Sequence, residues 1–461
     1  MKIKLTILFY LILGALTIFF FEGTGGSGDS MYHYLYAKEA PSHPELFFNH
    51  WAKPLFVLIA SLFAQLGFIG MKIMNLILVA YTIWFTYKTA QVLNIRESWL
   101  TGLLIIFSPL YFTLTFSGLT EPLFAFVLIL ATYLFLKKKL ITSIILISFL
   151  AFIRSEGLFF VGIFGFGLAW NKEWKKLPLL LVGSVAYGLA GYPIYGDVLW
   201  VFNKVPYAKL SSTYGEGTAL HFVQQLIYVI GIPFYIFFWL GVAAWFRNTW
   251  KNGFNPNLTF LIYGGVFAFI IAHSVFWYFG IFNSMGLKRV LISVIPYISI
   301  IGLIGINFLV FDLLGSYKKG GIILRYLMFA YLMIFPFTSN PAAIDIAHDL
   351  DYTLAEKTAQ KAAEHVLSNK TDFRLVTADI YFCALLNKDC FDTNEKVFLN
   401  QYNLSNLEKN DIVIWENWFA VVEQAVSLEQ LEQNTNLKKV KEIEEVNHKG
   451  RTVHYVVFTV K

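Results

Sequence analysis

An aspartate, a histidine and two tyrosines stand close together near the start of the chain, at Asp29, Tyr32, His33 and Tyr36. On a helix, residues three and four apart lie on one face, so these side chains would point the same way. Such a carboxylate can act as a general base that takes a proton from a hydroxyl or amine, while aromatic rings flank a sugar. The structural alternative is that Asp29 caps a helix at the membrane surface and the tyrosines form an aromatic belt.

Three more charged residues stand where apolar runs begin or end, namely Glu121, Arg154 and Glu156. Glu121 is followed by proline, which is typical of a helix start, and capping alone would explain it. A carboxylate at membrane depth is nevertheless a functional candidate. Arg154 and Glu156 stand in a short connection between two apolar runs, where buried charges must find partners.

Composition decides the environment of these residues. Of 461 residues, 57% are hydrophobic and 14% are charged, and the mean hydropathy is +0.59, which excludes a water-soluble globular protein. The net charge of +6 comes from Lys and Arg between apolar runs, where membrane orientation explains them. We therefore expect membrane lipids as partners and no nucleic acid.

Apolar runs of membrane-spanning length recur up to about residue 339, and charged residues become frequent after it. The sequence predicts an α-helical polytopic membrane protein of about eleven transmembrane helices, residues 1–339, followed by a small soluble α/β domain, residues 340–461. The predicted spans are Leu5–Phe21, Phe68–Lys88, Trp99–Phe116, Glu121–Leu136, Leu140–Ile153, Gly157–Trp170, Leu177–Tyr192, Phe222–Phe246, Leu258–Trp277, Val290–Phe311 and Ile322–Phe337. The short run Pro54–Leu66 begins with proline and is predicted to be an interfacial or re-entrant helix rather than a span.

Charge fixes the predicted orientation. With the N-terminus in the cytoplasm, the connections on that side are basic, as in Lys137, Lys138 and Lys139. A full crossing at Pro54–Leu66 would put these three lysines outside, so we reject it. The odd number of spans then places the C-terminal domain on the outer face. In a bacterium this means the inner membrane, with the candidate residues facing the periplasm.

In this orientation Lys53, Arg154, Lys288 and Arg289 stay on the outer side, against the usual bias of Lys and Arg toward the cytoplasm. A bound phosphate would explain them, because Lys and Arg hold phosphate by charge-assisted hydrogen bonds. A lipid-linked phosphate is the obvious ligand at this depth. The structural alternative is that they snorkel to the interface or form ion pairs, for instance Arg154 with Glu156.

The C-terminal domain is predicted to contain a helix at Tyr352–Leu367 and strands at Phe373–Ala378, Asp411–Trp415 and Val453–Val460. Asp379 and Glu416, near strand ends, are interpreted as structural. The two cysteines, Cys383 and Cys390, suit an oxidising side of the membrane, and a disulfide between them stays open.

In their order, these residues resemble the GT-C class of glycosyltransferases, specifically the protein O-mannosyltransferases and the lipid A aminoarabinose transferases. The resemblance covers about residues 2–337. It is carried by Asp29 with its tyrosines, Lys53-Pro-Leu, Thr120-Glu-Pro, Arg154-Ser-Glu-Gly and Gly286-Leu-Lys-Arg-Val-Leu-Ile-Ser-Val-Ile-Pro. The sequence departs from the mannosyltransferases at Ser30, where they commonly carry a second acid. It departs from the aminoarabinose enzymes in having one proline after Lys53 where they have two. Sugar and acceptor are therefore not carried over.

The resemblance implies transfer of a sugar from a polyprenyl-phosphate donor to a lipid, glycan or protein, with inversion. Asp29 would be the catalytic carboxylate, with Glu121 as a second candidate, and Tyr32, His33, Tyr36 and Glu156 would line the acceptor and sugar side. Lys53, Lys288 and Arg289, joined by Arg154, would hold the donor phosphate. No nucleotide motif is present, and a divalent metal stays open. The alternatives are a transporter or flippase of an anionic or lipid-linked substrate, and an assembly subunit.

Overall fold

The computed structural model describes residues 1–25, 28–206, 211–313, 319–447 and 450–461. A helical membrane domain is followed by a domain built on one sheet. The helices of the first domain are α1 (Lys2–Phe20), α2 (Gly28–Glu39), α3 (Pro54–Ala64), α4 (Phe68–Val92), α5 (Leu100–Ile106), α6 (Pro109–Thr115), α7 (Glu121–Leu136), α8 (Leu140–Phe149), α9 (Gly157–Trp170), α10 (Val182–Tyr195), α11 (Trp200–Asn203), α12 (His221–Ile230), α13 (Ile232–Asn252), α14 (Gly264–Tyr278), α15 (Ile295–Asn307) and α16 (Lys319–Ile334).

Tighter and wider helical turns extend several of these helices. The 3₁₀ segments are Pro44–Phe48, Leu150–Phe152, Trp174–Leu181, Lys288–Val294 and Phe335–Phe337, and the π segments are Asn257–Tyr263 and Phe308–Leu313. With these extensions, five helical stretches in the described ranges are long and apolar enough to cross a membrane: Lys2–Phe20, Phe68–Val92, Trp174–Tyr195, Asn257–Tyr278 and Lys288–Leu313.

Two of the predicted spans are not continuous helices, and this corrects the sequence prediction. The span predicted at Trp99–Phe116 consists of α5 and α6, because Pro109 cannot continue the preceding helix. The span predicted at Phe222–Phe246 is divided into α12 and α13 at Gly231, which has φ of 77°. A left-handed residue followed within two positions by Pro233 ends one helix and starts the next.

The segment predicted to lie at the interface forms α3, which has 11 residues. At 1.5 Å per residue it is about 17 Å long and cannot cross a bilayer. Leu58, Leu62 and Leu66 are exposed at intervals of four residues, whereas Phe56 and Ala60 are buried. The exposed leucine stripe is suited to contact with lipid.

The stretch Lys288–Leu313 runs through the centre of the domain, and α13 packs closely along α15. A Cβ atom on Gly241 would lie 2.0 Å from the carbonyl oxygen of Ile301, and one on Gly305 would lie 1.9 Å from that of Phe237. Only glycine permits this approach, which is the small-residue packing typical of membrane helices. The central stretch, which begins at Lys288, is therefore packed tightly against α13.

The C-terminal domain contains a sheet of five strands in the order β2-β1-β3-β5-β4, with β1, β2 and β3 parallel and β5 antiparallel to both neighbours. The strands are β1 (Arg374–Thr377), β2 (Lys396–Phe398), β3 (Asp411–Glu416), β4 (Leu437–Val446) and β5 (Thr452–Val460). The helices are α17 (Ile346–Asp349), α18 (Leu354–Asn369), α19 (Tyr381–Leu385), α20 (Gln401–Leu404) and α21 (Leu428–Glu432), with a π turn at Phe419–Glu423.

The predicted helix and three predicted strands correspond to α18, β1, β3 and β5. Two strands were missed. Strand β4 is an exposed edge strand whose sequence is mostly Lys and Glu, a composition that protects edges from aggregation and hides the strand pattern. Cys383 and Cys390 form a disulfide, the pairing that the sequence left open.

The C-terminal domain contacts the end of the bundle at which α1 ends and α2 begins. Glu356, in the first turn of α18, forms a capping box with Thr353 and also accepts a hydrogen bond from Thr24. Gly23 approaches the carbonyl of Asp351 so closely that a Cβ atom would lie 2.4 Å from it. The segment leading to Asp29 is therefore held by the C-terminal domain.

Candidate active site

Four segments bring the candidate residues to this same end of the bundle. Asp29 lies in the first turn of α2, and Glu121 is the first residue of α7. Arg154 and Glu156 lie in the connection before α9, and Arg289 lies at the start of the central stretch. Helix starts carry partial positive charge, which favours carboxylates at Asp29 and Glu121.

The charged side chains form a continuous chain of ion pairs. Arg289 pairs with Asp29 through a short contact of Nη2 with Oδ2, and its Nε lies 3.6 Å from Oε1 of Glu121. Arg154 approaches the same Glu121 oxygen with Nη1 at 2.7 Å, and its Nη2 lies 2.7 Å from Oε1 of Glu156. Five of the predicted site residues therefore meet in one network.

The network favours the ionised forms of Asp29 and Glu156. Burial raises the pKa of Asp29, but Arg289 and other nearby cations outweigh this, so the pKa is lowered. Burial also raises the pKa of Glu156, but the charges of Arg154 and His273 outweigh burial and lower the pKa to about 2. Two arginines stand against three carboxylates, so one further cation would balance the site.

Lys53 is that cation. Its Nζ donates a hydrogen bond to Ser155 Oγ at 2.8 Å, directly beside Glu156. Burial lowers the pKa of Lys53 to about 8, while the charge of Glu156 opposes the shift. Its φ of 71° is a strained backbone conformation for a residue other than glycine. Strain of this kind is often found at functional positions, where surrounding structure maintains it.

Glu121 and Asp29 differ in access. Glu121 is 0% exposed, and its Oε2 accepts no hydrogen bond from any residue that the structure describes. The Asp29 side chain is 39% exposed. A base must reach a proton on the acceptor, so Asp29 is the better placed of the two carboxylates.

The aromatic residues of α2 surround Trp51, which the sequence reasoning did not select. His33 stacks on the Trp51 ring at a centroid distance of 5.1 Å, and Tyr32 meets that ring edge-on at 5.3 Å. Burial lowers the pKa of His33 to about 3, so it is neutral at physiological pH. Tyr36 contacts Phe391 of the C-terminal domain at 4.8 Å.

The Lys288 side chain points in a different direction from that of its neighbour Arg289. Its Nζ lies 5.5 Å from the centroid of the Tyr228 ring, on α12. The Tyr228 ring thus holds the Lys288 cation over its aromatic face at the same end of the bundle. The structure thus joins Arg289 directly to Asp29 and places Lys288 at the flank.

Several contributors were missed from sequence. Thr120 accepts a hydrogen bond from Arg154 at 3.0 Å, and His273 on α14 lies 3.7 Å from Glu156 Oε1. His273 follows an apolar run with no motif around it, so only its position in space identifies it. Tyr214 and Glu423, the latter from the C-terminal domain, form a hydrogen bond of 3.3 Å. The C-terminal domain therefore lies beside the network.

The described ranges contain no group of three or more His, Cys, Asp or Glu side chains arranged to hold a metal ion. The sequence left a divalent metal open, and the described residues offer no candidate set of metal ligands.

No protein-family model matches the sequence, and a search of curated proteins finds no match. Solved structures do match. Two crystal structures of ArnT from Cupriavidus metallidurans, one bound to undecaprenyl phosphate and one in the apo state, align with TM-scores of 0.63 and 0.68. Sequence identity is 12% and 11%, and each alignment covers 98% of this chain and 97% of ArnT. The structural neighbours are thus aminoarabinose transferases of the GT-C class, and this chain has their fold from end to end.

Proposed function

We propose that this chain is a membrane glycosyltransferase that moves a sugar from a polyprenyl-phosphate donor to an acceptor at the outer face of the membrane. The observation that carries the proposal is the ion-pair network of Asp29, Arg289, Glu121, Arg154 and Glu156 at one end of the bundle. The likeness to ArnT bound to undecaprenyl phosphate supports the choice of donor.

The cations of the network suit a lipid phosphate. Arg289 and Lys53 flank the carboxylates, and each stands at the start of a helical segment rather than in its interior. A phosphate monoanion or diester entering from the lipid would take charge-assisted hydrogen bonds from both. It would compete with Asp29 for Arg289. As Arg289 turns to the phosphate, Asp29 loses its strongest stabilising charge and becomes a better proton acceptor.

The proposed reaction is a displacement at the anomeric carbon of the donor sugar. An acceptor hydroxyl or amine attacks from the face opposite the phosphate, and its proton passes to Asp29. The bond between the anomeric carbon and the phosphate oxygen breaks, and the lipid phosphate leaves with the bonding electrons. Lys53 and Arg289 stabilise the charge on the leaving group, and Lys288 adds positive charge from the flank. The sugar is transferred with inversion.

Glu121, Arg154 and Glu156 have a positioning role in this scheme. Glu121 is buried and shared by two arginines, so it fixes the guanidinium planes that face the donor. Tyr32 and Tyr36 flank the acceptor side beside Asp29. The C-terminal domain covers this side, with Glu423 and Tyr214 above the network.

Transport is the rival function. A transporter places its charged residues along a path near the midplane, with access from both faces. Among the described residues, the ion-pair network of Asp29, Arg289, Glu121, Arg154 and Glu156 lies at the end of the bundle where α2, α7 and the central stretch begin. This arrangement favours chemistry at one face.

The test is transfer by purified protein in vesicles. Polyprenyl-phosphate carrying a radiolabelled sugar is added with a membrane extract as the acceptor source, and the label is followed into products. The proposal expects label to move from the polyprenyl phosphate to the extract and free polyprenyl phosphate to accumulate. Binding of donor without any transfer, across a panel of sugars, would refute an enzymatic role. Movement of intact donor across the vesicle bilayer would favour the flippase.

A further inference from the structure

The C-terminal domain exposes three large apolar side chains within one short turn. Trp418, Val421 and Val422 are 51%, 42% and 38% exposed, and they belong to the π turn Phe419–Glu423 and the residue before it. We call residues 418–423 the apolar turn. Single exposed apolar residues are normal, but a contiguous group of them marks an interaction site. Nothing in the proposed sugar transfer uses these side chains.

The shape of the apolar turn is fixed by the end of β3. The buried Glu416 carboxylate accepts hydrogen bonds from the amides of Trp418, at 2.7 Å, and Ala420, at 2.6 Å. Ala420 is fully buried and packs in the core of the C-terminal domain. With Ala420 directed inward, Val421 and Val422 are held on the outside of the domain. Their exposure is therefore part of the folded structure of this turn.

The apolar turn lies beside a membrane-spanning stretch. Glu423 accepts a hydrogen bond of 3.3 Å from the hydroxyl of Tyr214. Three residues further along the chain, the amide of Gly217 donates to the carbonyl of Trp277 at 3.0 Å. Trp277 stands one residue before the end of the stretch Asn257–Tyr278. These contacts place the turn near the level at which that stretch leaves the membrane.

Exposed aromatic residues mark this level on the bundle itself. Tyr278, Phe279 and Phe282 are exposed at the end of α14 and just after it. Aromatic side chains at the end of a membrane helix typically lie among the lipid headgroups. Trp418 has the same amphipathic character, with a large apolar ring and a polar N–H group. The apolar turn therefore continues the aromatic belt of the bundle onto the C-terminal domain.

Charge indicates how the turn would be held at the membrane. Residues 411–437, which include the whole turn, contain no Lys or Arg. Anionic headgroups therefore find no cation on this segment to attract them. Burial of apolar surface among lipid chains is the attraction that remains.

We propose that the apolar turn is a membrane contact of the C-terminal domain, with Trp418, Val421 and Val422 inserted among the lipids of the leaflet beside the ion-pair network. The occupant of this surface is the bilayer itself. The proposal rests on the position of the turn and stands whether or not the chain is a glycosyltransferase.

The test is fluorescence of the full chain in phosphatidylcholine vesicles, with an NBD label on Val421→Cys or, in a second protein, on Val422→Cys. Cys383 and Cys390 are the only cysteines and are paired, so the introduced thiol is the only free one. Emission should move to shorter wavelength than in water. A nitroxide near the ester end of the lipid acyl chain should remove most of the signal, and iodide in the buffer should remove little.

Two labelled positions calibrate the result. Leu189→Cys, exposed on the stretch Trp174–Tyr195, is the lipid-facing reference, and the turn should be quenched by the nitroxide about as strongly. Asn410→Cys is the matched control within the C-terminal domain, since it is exposed and precedes β3, roughly 20 Å from the turn at about 3.3 Å per residue. It should be quenched by iodide alone. Each labelled protein is first shown to keep the wild-type melting temperature.

Three outcomes would overturn the proposal. Emission and quenching at Val421 and Val422 equal to those at Asn410 would place the turn in water. Emission at short wavelength without quenching by the nitroxide would show that protein covers the turn, as in a dimer of two copies. Quenching that appears only after polyprenyl phosphate is added would show a contact with substrate.

Salt and lipid charge give an independent check. Because the turn carries no cation, quenching by the nitroxide should be the same with and without phosphatidylglycerol in the vesicles, and it should persist at high salt. A signal that requires phosphatidylglycerol or disappears at high salt would show ionic attraction and contradict insertion by apolar burial.

Discussion

The Arg154 guanidinium lies 2.7 Å from the carboxylate of Glu121, which has no exposed surface. A buried ion pair contributes little over an apolar pair of the same shape, but the loss of one partner leaves a buried charge. Arg154 also contacts Glu156, so two carboxylates depend on it. The stability of the end of the bundle that holds the ion-pair network should therefore respond to Arg154 more than to any exposed cation.

Arg154→Met is expected to destabilise the protein by up to about 3–5 kcal/mol, because Glu156 loses its arginine and the buried Glu121 keeps only Arg289, whose Nε lies 3.6 Å away. Adding Glu121→Gln to Arg154→Met should recover part of this loss. The measurement is thermal unfolding in detergent, with Lys176→Met, which breaks an exposed pair with Glu173, as the control. Equal melting temperatures for both single variants would contradict the burial argument.

Lys53→Gly is expected to keep the fold and lose donor affinity. Glycine accepts the φ of 71° without strain, so stability should not fall, whereas the loss of one charge-assisted hydrogen bond costs roughly 1.5–3 kcal/mol of binding. Titration of polyprenyl phosphate followed by tryptophan fluorescence measures it. Normal affinity in this variant would remove Lys53 from the donor site.

The wild-type affinity for polyprenyl phosphate should also depend on pH. Because burial lowers the pKa of Lys53 to about 8, the amine loses its proton as pH rises through that value, and phosphate binding weakens. Lys53→Arg stays charged and should bind independently of pH in this range. Parallel pH profiles for the two proteins would show that another group is responsible.

The contact between His43 and the C-terminal domain should weaken at alkaline pH. The hydrogen bond to Asp389, at 2.8 Å, raises the pKa of His43. A raised pKa gives stabilisation that is complete below the unfolded value, about 6.5, and is lost as pH rises through the folded value. Hydrogen exchange of residues 383–391, corrected for intrinsic rates, should increase from about pH 5.5 to about pH 8.5. His43→Gln should abolish this dependence.

Orientation is tested by labelling of introduced cysteines in intact cells. Lys138 lies between α7 and α8, on the side predicted to be cytoplasmic, and Tyr402 is exposed in the C-terminal domain. An impermeant maleimide should label Tyr402→Cys and leave Lys138→Cys unlabelled until the cells are opened. Labelling of Lys138→Cys in intact cells would reverse the topology and the outer location of the site.

The sequence was sufficient to predict a polytopic helical protein, because apolar runs and basic connections report directly on lipid and orientation. It also selected Asp29, Arg154 and Arg289, since charges beside membrane spans are rare enough to stand out. It could not separate Lys288 from Arg289, because adjacent residues on a 3₁₀ turn point in directions that only packing decides. Trp51 and His273 carry no local signal, as aromatic residues are common throughout this chain.

Two errors of the sequence prediction have a physical cause. Gly231 ends a helix although the apolar pattern continues through it. Hydropathy alone therefore predicted one span where the structure has two helices. Strand β4 is held by pairing with β5 along its length, and its own Lys and Glu side chains face solvent.

Asp29→Asn tests the central claim most directly. Asparagine keeps the shape of the side chain and can still accept a hydrogen bond from Arg289, but it cannot take a proton. Loss of positioned proton transfer lowers rates by about 10²–10⁴, so transfer of labelled sugar should fall by that factor while polyprenyl-phosphate binding and melting temperature remain. Asp197→Asn is the matched control and should transfer normally, because Asp197 is a partly exposed acid that only accepts a hydrogen bond from the Leu199 amide just before α11. Transfer by a folded Asp29→Asn protein at the wild-type rate would contradict the account.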